Sequence, residues 1–543
     1  MPTEPPSLQH DHDYDHDHNH ADTHPNPPAE TSQTLATTLI AKCRTLLGEI
    51  NTFQTLIAQT LRNPQVVEVR SLRSSVVSEL RTLEKMGTKV EDAGAGPAEA
   101  GDGSGSGTGT TPGPEPETRL LHTLRSSNLP FYETVWAVAK GSCRGITMFG
   151  KRFYWGEGEE AEGSKWKKPN KDKRKSVLVD IVADDGEEWV KVSTISESRL
   201  LFEMAKKGWE GDESEEEDGG RTVLRNTGDD GDDSDDEDEV EFIKLARDMR
   251  RAADTIRVRY RRPRIRFVIP KIEEGKAGDI DRLLKEIRSY GITVDCGGQE
   301  FDQGVYRDAS ELDLSHLLPN TFKRLTPTLN VDCTLLLAIV SDLSHSKDIQ
   351  PSPIHHRAIN RQIEIDRQQP LLPTELWPAM DARVLICTEE AAQRMHDIVN
   401  VIGTDTEKER MRIMMGSPPF EHWDAASLVQ KFQGLSDYQV PGHWKLPARI
   451  VEAQSVIESA RQHGKLPQVA EHVAKGLSDI NYSVFLYGWS AGLTTISSNR
   501  TAVKQIELTV EKHRNGDQDL EGPPVWVCDT ARSLIGKEKG RND

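Results

Sequence analysis

Residues 326–343, with the sequence TPTLNVDCTLLLAIVSDL, narrow the possible folds of this chain more than any other segment. A short extended run ends at the carboxylate of Asp332, and the apolar residues from Leu335 onwards follow helical spacing. This pattern predicts a strand, an acid at its carboxyl end, and a helix. Open parallel sheets bind ligands outside the carboxyl ends of their strands, which makes Asp332 the first candidate site residue. The same position also suits an N-cap, whose carboxylate accepts a backbone N–H of the helix.

The rest of the C-terminal half repeats this order of elements. Strands are predicted at 383–387, 482–487 (YSVFLY) and 525–528 (VWVC) because short apolar runs are typical of strands buried on both faces. Thr388 is expected to N-cap a helix over 389–402. Residues 403–447 are polar and irregular, and are predicted to form a long loop beside the site. Alternating strands and helices predict a right-handed, three-layer α/β/α parallel sheet.

Acidic residues follow several of these predicted strands. They are Asp332, the pair Glu389 and Glu390, and Asp529. Carboxylates that converge on one crevice repel each other unless a hard cation such as Mg²⁺ or Mn²⁺ neutralises them. Two such ions about 4 Å apart activate water and stabilise the leaving oxygen in phosphodiester hydrolysis. The pattern therefore predicts a Mg²⁺ or Mn²⁺ site with Asp332, Glu389 and Asp529 as ligands, and Asp332 and Glu389 as catalytic residues.

Changes of composition divide the remaining chain. Helical periodicity predicts a helical hairpin, and alternating strand and helix patterns predict an N-terminal α/β (α+β) domain with a β-hairpin. The expected segments are a disordered His/Asp tail (1–33), the helical hairpin (34–87), a Gly/Pro linker (88–118), the α/β domain (119–300) with basic (165–175) and acidic (210–241) disordered inserts, a linker (301–325), the C-terminal domain (326–536) and a tail (537–543).

An arginine-rich stretch follows the acidic insert. The candidate nucleic-acid-binding residues are Arg257, Arg259, Arg261, Arg262, Arg264 and Arg266. Such a density of guanidinium groups predicts phosphate contacts, and the acidic insert has the composition of an internal mimic of nucleic acid. A surface strand with one charged face explains the same residues equally well.

Other features indicate compartment and partners. The net charge is −20, with the two signs segregated into blocks. Six cysteines lack any CxxC pair, which predicts reduced thiols in the cytoplasm or nucleus. A secretory signal and a membrane-spanning apolar run are not found, so no membrane association is expected. The tail sequence HDHDYDHDHNH suits loose binding of zinc, nickel or copper, or a solvated disordered tail.

Several motifs resemble a eukaryotic family of uncharacterised proteins, known by a domain-of-unknown-function label, whose C-terminal domain is grouped with the PIN (PilT N-terminus) nucleases. In the C-terminal part they are Leu329-Asn-Val-Asp332-Cys-Thr, the strand and helix containing Glu389, and Glu407-Lys-Glu-Arg410. In the N-terminal part they are LLHTLRSSNL from Leu120, Val179-Asp-Ile-Val182, Trp189-Val-Lys191 and Ile292-Thr-Val294. The resemblance covers most of the chain from Arg119 onwards and the helical hairpin.

The resemblance implies a PIN-like fold with Asp332 and Glu389 as the first two acidic ligands. PIN-like domains place Thr or Ser, one residue, and then Asp after the next strand. By position Ala491, in Tyr487-Gly-Trp-Ser-Ala-Gly492, occupies the place of that aspartate. Loss of one acid weakens metal binding, and Asp479 or Asp529 are candidates to compensate.

A second, weaker pattern lies in the predicted β-hairpin of the N-terminal domain. Asp180 and Lys191 on adjacent strands are faintly similar to restriction-endonuclease sites, but Trp189 occupies the position of the second acid. A buried tryptophan and a cross-strand charge pair explain these residues without chemistry.

Two functions of different classes follow. The first is a metal-dependent nuclease-like protein that contacts RNA or other nucleic acid, with activity intact or reduced. The alternative is a non-enzymatic scaffold, in which the helical hairpin and the acidic insert recruit proteins.

Overall fold

The computed structural model describes residues 31–61, 63–94, 115–155, 175–207, 239–297, 313–528 and 534–535. Most of the predicted His/Asp tail, most of the Gly/Pro linker and most of both charged inserts lie outside these ranges. The chain separates into two compact units, one made of residues 1–42 and 80–127 and the other of residues 43–79 and 128–543. None of the helices in the described ranges is long and apolar enough to cross a membrane.

Three helices supply the described part of the first unit, and two of them also contribute residues to the second. They are α1 (Ser32–Thr60), α2 (Arg70–Gly94) and α3 (Glu115–Arg125). Within the first unit, Ser32 donates from its backbone N and from Oγ to the Glu117 carboxylate, both at 2.7 Å. Within the second unit, Arg73 Nε donates to Asn51 Oδ1 at 2.8 Å. The prediction of two consecutive helices is confirmed.

The N-terminal α/β region is built on a mixed sheet in the order β1-β2-β3-β4-β5. Its strands are β1 (Met148–Trp155), β2 (Lys175–Ala183), β3 (Glu188–Val192), β4 (Arg264–Ile269) and β5 (Ile292–Cys296). The β1-β2-β3 pairs are antiparallel, whereas the β3-β4-β5 pairs are parallel. Its helices are α4 (Leu129–Ser142), α5 (Glu197–Lys206), α6 (Glu241–Asp254) and α7 (Gly278–Ser289).

The C-terminal region is built on a five-stranded sheet in the order β10-β9-β6-β7-β8, in which all four pairs are parallel. Its strands are β6 (Thr328–Val331), β7 (Val384–Thr388), β8 (Lys445–Val451), β9 (Thr494–Ser497) and β10 (Val525–Val527). Parallel pairing brings the carboxyl ends of all five strands to one edge, which is called the carboxyl edge below.

Helices cover both faces of this sheet. Leu385 and Cys387 of β7 belong to one apolar core, and Ile386 between them belongs to another, so the sheet is buried on both sides. The first core includes residues of α8 (Cys333–Val340), α12 (Glu389–Ile402), α13 (Asp405–Met415) and α14 (Ala425–Gln433). The second includes residues of α15 (Gln454–Gln462), α16 (Val469–Lys475), α17 (Asp479–Ala491) and α18 (Arg500–Lys512). The helices α9 (Asp342–His345), α10 (Arg357–Gln368) and α11 (Trp377–Met380) complete the region. The predicted three-layer arrangement is present.

Two predictions for the C-terminal region are wrong. Residues 482–487 form the buried middle of α17, not a strand, because an apolar run buried on several sides looks the same in both structures. The expected irregular loop at 403–447 contains α13, α14 and the start of β8. Thr404 and Glu407 form a capping box that starts α13.

Candidate functional site

Asp332 lies directly after β6, at the carboxyl edge, and is only 2% exposed. Its Oδ2 accepts hydrogen bonds from Ser497 Oγ at 2.6 Å and from Thr334 Oγ1 at 2.7 Å. Asp332 occupies the N-cap position of α8, but its side chain makes no capping hydrogen bond. The two hydroxyls hold the carboxylate toward the end of the neighbouring strand β9, while the backbone N–H groups of Cys333 and Thr334 at the start of α8 also favour its charged form.

The pKa of Asp332 is raised above its usual value. Burial is the main cause, because removal from water penalises the charged carboxylate. The hydroxyl hydrogen bonds from Ser497 and Thr334 favour the charged form and oppose this effect. A buried acid whose charge is incompletely compensated in this way would gain from a nearby cation.

The end of β9 continues this polar cluster. Asn499 donates its backbone N–H to Ser497 Oγ at 2.9 Å, and Ser498 donates its backbone N–H to Thr334 Oγ1 at 3.1 Å. Asn499 also caps α18 through its side chain, which accepts from Ala502 N. The buried Ser498 hydroxyl oxygen has no hydrogen-bond partner within the described chain. Sequence reasoning missed this cluster because TTIS was not recognised as a strand.

A second carboxylate approaches the same edge. Cys528 follows β10 and donates its backbone N–H to the carbonyl oxygen of Ser497 at 2.9 Å. The Cys528 Sγ donates to Glu375 Oε2 at 3.2 Å. Glu375 lies in a π-helical segment, Leu372–Leu376, and such segments occur frequently at functional sites. Glu375 is thus linked through Cys528 and Ser497 to Asp332, although no sequence motif identified it.

The other predicted acids have different positions. Glu389 begins α12 at the end of the adjacent strand β7 and is exposed, as is Glu390. Thr388 caps this helix as predicted, accepting from Ala391 N, and its Oγ1 lies 3.1 Å from Ser483 Oγ. Asp529 lies outside the described residues. Within the described ranges no group of three or more His, Cys, Asp or Glu side chains is arranged to hold a metal ion.

The assignment of Ala491 to the place of a strand-end aspartate is wrong. Ala491 is the exposed last residue of α17, and Gly492 ends that helix in the left-handed conformation at φ 64°. The strand follows later, at Thr494–Ser497. The expected spacing of Ser, one intervening residue and Asp, counted from Ser497, places Asn499, an amide, where the aspartate was expected.

The hairpin residues of the N-terminal domain are accounted for by packing. Lys191 Nζ lies 3.2 Å from Asp180, and Val192 N donates to Asp180 Oδ2 at 2.8 Å. Trp189 is buried and stacks on Phe153 with ring centroids 3.9 Å apart. The cross-strand pair and the stacked rings stabilise the hairpin without requiring a catalytic role.

Residues 329–417 match the profile of a family described as Protein of unknown function (DUF1308). The match runs from β6 to just beyond α13, and so contains Asp332, Glu375 and Glu389 but not Ser497. It confirms the resemblance to a family of unknown function. No curated protein and no solved structure gives a significant match to the chain.

The six predicted nucleic-acid-binding arginines all have acidic or amide partners. The pairs are Arg257 with Glu511 and Gln518, Arg259 with Glu187, Arg261 with Glu521, Arg262 with Asp254 and Gln518, Arg264 with Asp184, and Arg266 with Glu188 and Asp295. Arg257 and Arg261 thereby connect the N-terminal α/β region to the segment after α18. Phosphate binding by this stretch stays a prediction, and it would have to compete with these pairs.

Tyr260 anchors the same contact. Arg259 and Tyr260 both have positive φ, at 51° and 70°, in a tight turn closed by two backbone hydrogen bonds between Val258 and Arg261. The Tyr260 ring packs against Gly522, where an added Cβ would lie 2.4 Å from the ring. Burial raises the pKa of the Tyr260 hydroxyl above its usual value, consistent with a ring enclosed by the C-terminal region.

Asp332→Asn is expected to stabilise the protein at neutral pH by about 1 kcal/mol, because it removes a buried charge and keeps the shape. The folded-state pKa of Asp332 is raised, so wild-type stability falls as pH rises from the usual aspartate pKa to the folded one. The advantage of the variant should therefore be small in acid and grow across this window. Urea unfolding at a series of pH values measures it, with Asp397→Asn on the exposed side of α12 as control. An advantage that shrinks as pH rises would contradict the argument.

Proposed function

We propose that the carboxyl edge of the C-terminal sheet is a metal-dependent phosphodiesterase site of PIN-like type that acts on nucleic acid, with RNA as the expected substrate. The observation that carries the proposal is the buried Asp332 carboxylate, held by two hydroxyls beside an edge that Glu375 also approaches. A carboxylate buried for purely structural reasons would be expected to meet a cationic side chain, and hydroxyls supply no charge.

The residues at the edge fit a Mg²⁺ or Mn²⁺ ion. Mg²⁺ is usually held by one or two carboxylates, with waters and substrate phosphates as its other ligands. Asp332 and Glu375 would supply the carboxylates, and Glu389 is the alternative second acid predicted from the sequence. The unpartnered Ser498 hydroxyl is a further oxygen suited to bind a metal-bound water. When bound, the ion would activate water and stabilise the charge that develops on the phosphate.

The protein's own residues would orient these groups. Ser497 and Thr334 both donate to Oδ2 of Asp332, which fixes the carboxylate plane and leaves Oδ1 without either hydroxyl bond. The Cys528 thiol restrains Glu375 in the same way. Such preorganisation lets a site bind its cation without reordering side chains.

A second candidate is a non-enzymatic interaction scaffold on the same fold. Asn499 favours it, because a neutral amide stands where PIN-like domains have an aspartate. Fewer negative ligands lower metal affinity, which reduces the activity expected of the site.

Calorimetric titration of Mn²⁺ into the full chain tests the proposal. Binding is expected in the micromolar range, about 8 kcal/mol of binding free energy. Asp332→Asn should abolish binding, and Glu375→Gln should weaken it at least about tenfold. Glu389→Gln shows which of the two acids is the second metal ligand, since it should leave the Mn²⁺ affinity almost unchanged if Glu375 is the ligand. Asn499→Asp should tighten binding.

Cleavage of single-stranded RNA with Mn²⁺ is the second readout. Activity that is present in the wild type and absent in Asp332→Asn would support the enzyme. Absence of both Mn²⁺ binding and cleavage, with no recovery in Asn499→Asp, would overturn the proposal in favour of the scaffold.

A further inference from the structure

One face of α18 carries an exposed basic row. Arg500, Lys504, Leu508 and Lys512 follow each other at intervals of four residues and therefore lie along one side of the helix. All four are exposed, and the Leu508 side chain is 61% exposed between the two lysines. This row is called the α18 ridge.

The two acidic residues of α18, Glu507 and Glu511, border the α18 ridge. Glu511 pairs with Arg257 and Arg514. Among the described residues neither Lys504 nor Lys512 has a carboxylate within ion-pair distance, although Lys504 acts electrostatically on Glu507. An acidic protein with a net charge of −20 thus presents a local row of cations to solvent. Local charge, rather than net charge, decides which polyanions a surface attracts.

The ridge begins at the candidate site. Asn499, whose backbone N–H contacts Ser497 Oγ, is also the N-cap of α18, and Arg500 is its first residue. From there the ridge leads away from Asp332 along the helix. Four residues of α-helix rise about 6 Å, which is comparable to the separation of successive phosphates in an extended nucleic-acid strand.

We infer that the α18 ridge binds the phosphate backbone of a single-stranded nucleic acid and leads it to the carboxyl edge. This inference rests on the proposed function, which it extends by naming the surface that holds the substrate. Lys504 and Lys512 contact phosphates, and Leu508 between them packs against a sugar or base. A single row of cations matches the single phosphate backbone of an unpaired nucleic-acid strand. Interfacial binding to a lipid surface needs a broad apolar face, and the ridge has a single exposed apolar residue.

Fluorescence anisotropy of a labelled oligouridine with the full chain, in EDTA, tests the ridge independently of metal. The double variant Lys504→Gln/Lys512→Gln should bind about tenfold more weakly. Its plot of log affinity against log salt should be less steep by about 1.4, since each lost phosphate contact of a single strand contributes about 0.7. The control Lys285→Gln/Lys445→Gln makes the same charge change on α7 and β8 and should bind like wild type.

The outcomes separate this inference from the proposed function. Wild-type protein that binds oligouridine in EDTA but does not bind Mn²⁺ would support the role of the ridge and contradict the metal-dependent enzyme. Equal loss of binding in ridge and control variants, or an unchanged salt slope in the ridge variant, would contradict phosphate binding by the α18 ridge. Binding to anionic lipid vesicles but not to oligouridine would overturn it as well. Thermal unfolding of each variant checks that the fold is intact.

Discussion

Arg410→Ala is expected to lower the free energy of unfolding by about 3–5 kcal/mol, the cost of removing one partner from a buried ion pair. Arg410 is 4% exposed, and its Nη1 lies 2.6 Å from Asp342 Oδ1. The same guanidinium donates to the carbonyl oxygens of Val340 and Leu435. Alanine would leave the Asp342 carboxylate and two carbonyl groups without this donor.

The neighbours of Asp342 explain why breaking its ion pair with Arg410 is expected to lower the free energy of unfolding so strongly. Thr404 and Thr406 donate hydroxyl hydrogen bonds to Asp342, and the buried Glu407 accepts the backbone N–H of Asp342 at 3.0 Å. Burial alone would raise the pKa of Asp342, but the hydroxyls and Arg410 outweigh it, and the pKa lies below its usual value. Arg410→Ala would remove one of the groups that hold this pKa down and would leave the burial of the carboxylate less well compensated.

Urea unfolding at pH 7 measures the effect, and Arg412→Ala on the exposed side of α13 is the matched control, with an expected change within about 0.5 kcal/mol. A lowered acid pKa adds stability above the usual aspartate pKa and loses it as pH falls through the folded pKa. The difference between wild type and Arg410→Ala should accordingly shrink in acid. A loss below about 1 kcal/mol at pH 7 would show that water replaces the guanidinium.

Local sequence patterns were sufficient to predict the secondary structure where a strand leads directly into a helix. The apolar run before Asp332 and the periodic run after it predicted β6, the acid at its end and α8. Thr388 was recognised as a cap from its place before a helical pattern, and it does accept from Ala391 N. These signals lie within a few residues of each other, so no tertiary contact is needed to read them.

Sequence patterns failed to predict the secondary structure where an element is buried on all sides and therefore lacks alternating polar and apolar residues. The apolar residues of α17 are buried from Ser483 to Gly488 without a polar face, so their sequence suggested a strand. The true strand β9, with the sequence TTIS, is short and carries three hydroxyls, so it lacks the apolar run from which the other strands were predicted. Because α17 was predicted as the strand in place of β9, the position expected to hold an aspartate was assigned to Ala491 and not to Asn499.

Glu375 could not be found from the sequence, because it is brought to the edge by contacts far along the chain. Its thiol partner Cys528 is 153 residues away. The motif Glu407-Lys-Glu-Arg410 was noticed, but as part of a resemblance and not for its role. In the structure Glu407 and Arg410 are buried parts of the Asp342 network, which stabilises the fold and lies beyond the far end of α8 from Asp332.

Gly488→Ala is expected to destabilise the protein by about 3 kcal/mol, the upper part of the usual range for overpacking a core. Gly488 lies on the face of α17 that packs on the sheet, and an added Cβ would lie 2.1 Å from Thr495 Oγ1 of β9. It would also lie 3.2 Å from Asn330 Nδ2, which donates to Thr495 Oγ1 and to the Val484 carbonyl oxygen. The helix and the strand would have to separate, since neither contact is with the flexible end of a long side chain.

A matched glycine separates this clash from the effect of helix propensity. Gly48 lies in the middle of α1, is exposed, and has nothing within 4 Å of an added Cβ. Gly48→Ala should therefore gain up to about 1 kcal/mol, because alanine favours helix over glycine. Urea unfolding should thus show opposite signs for the two substitutions. Thr495→Ala should cost less in the Gly488→Ala background than in wild type, since it removes the clashing oxygen. Additive costs would mean that α17 approaches the sheet less closely than Gly488 and Thr495 indicate.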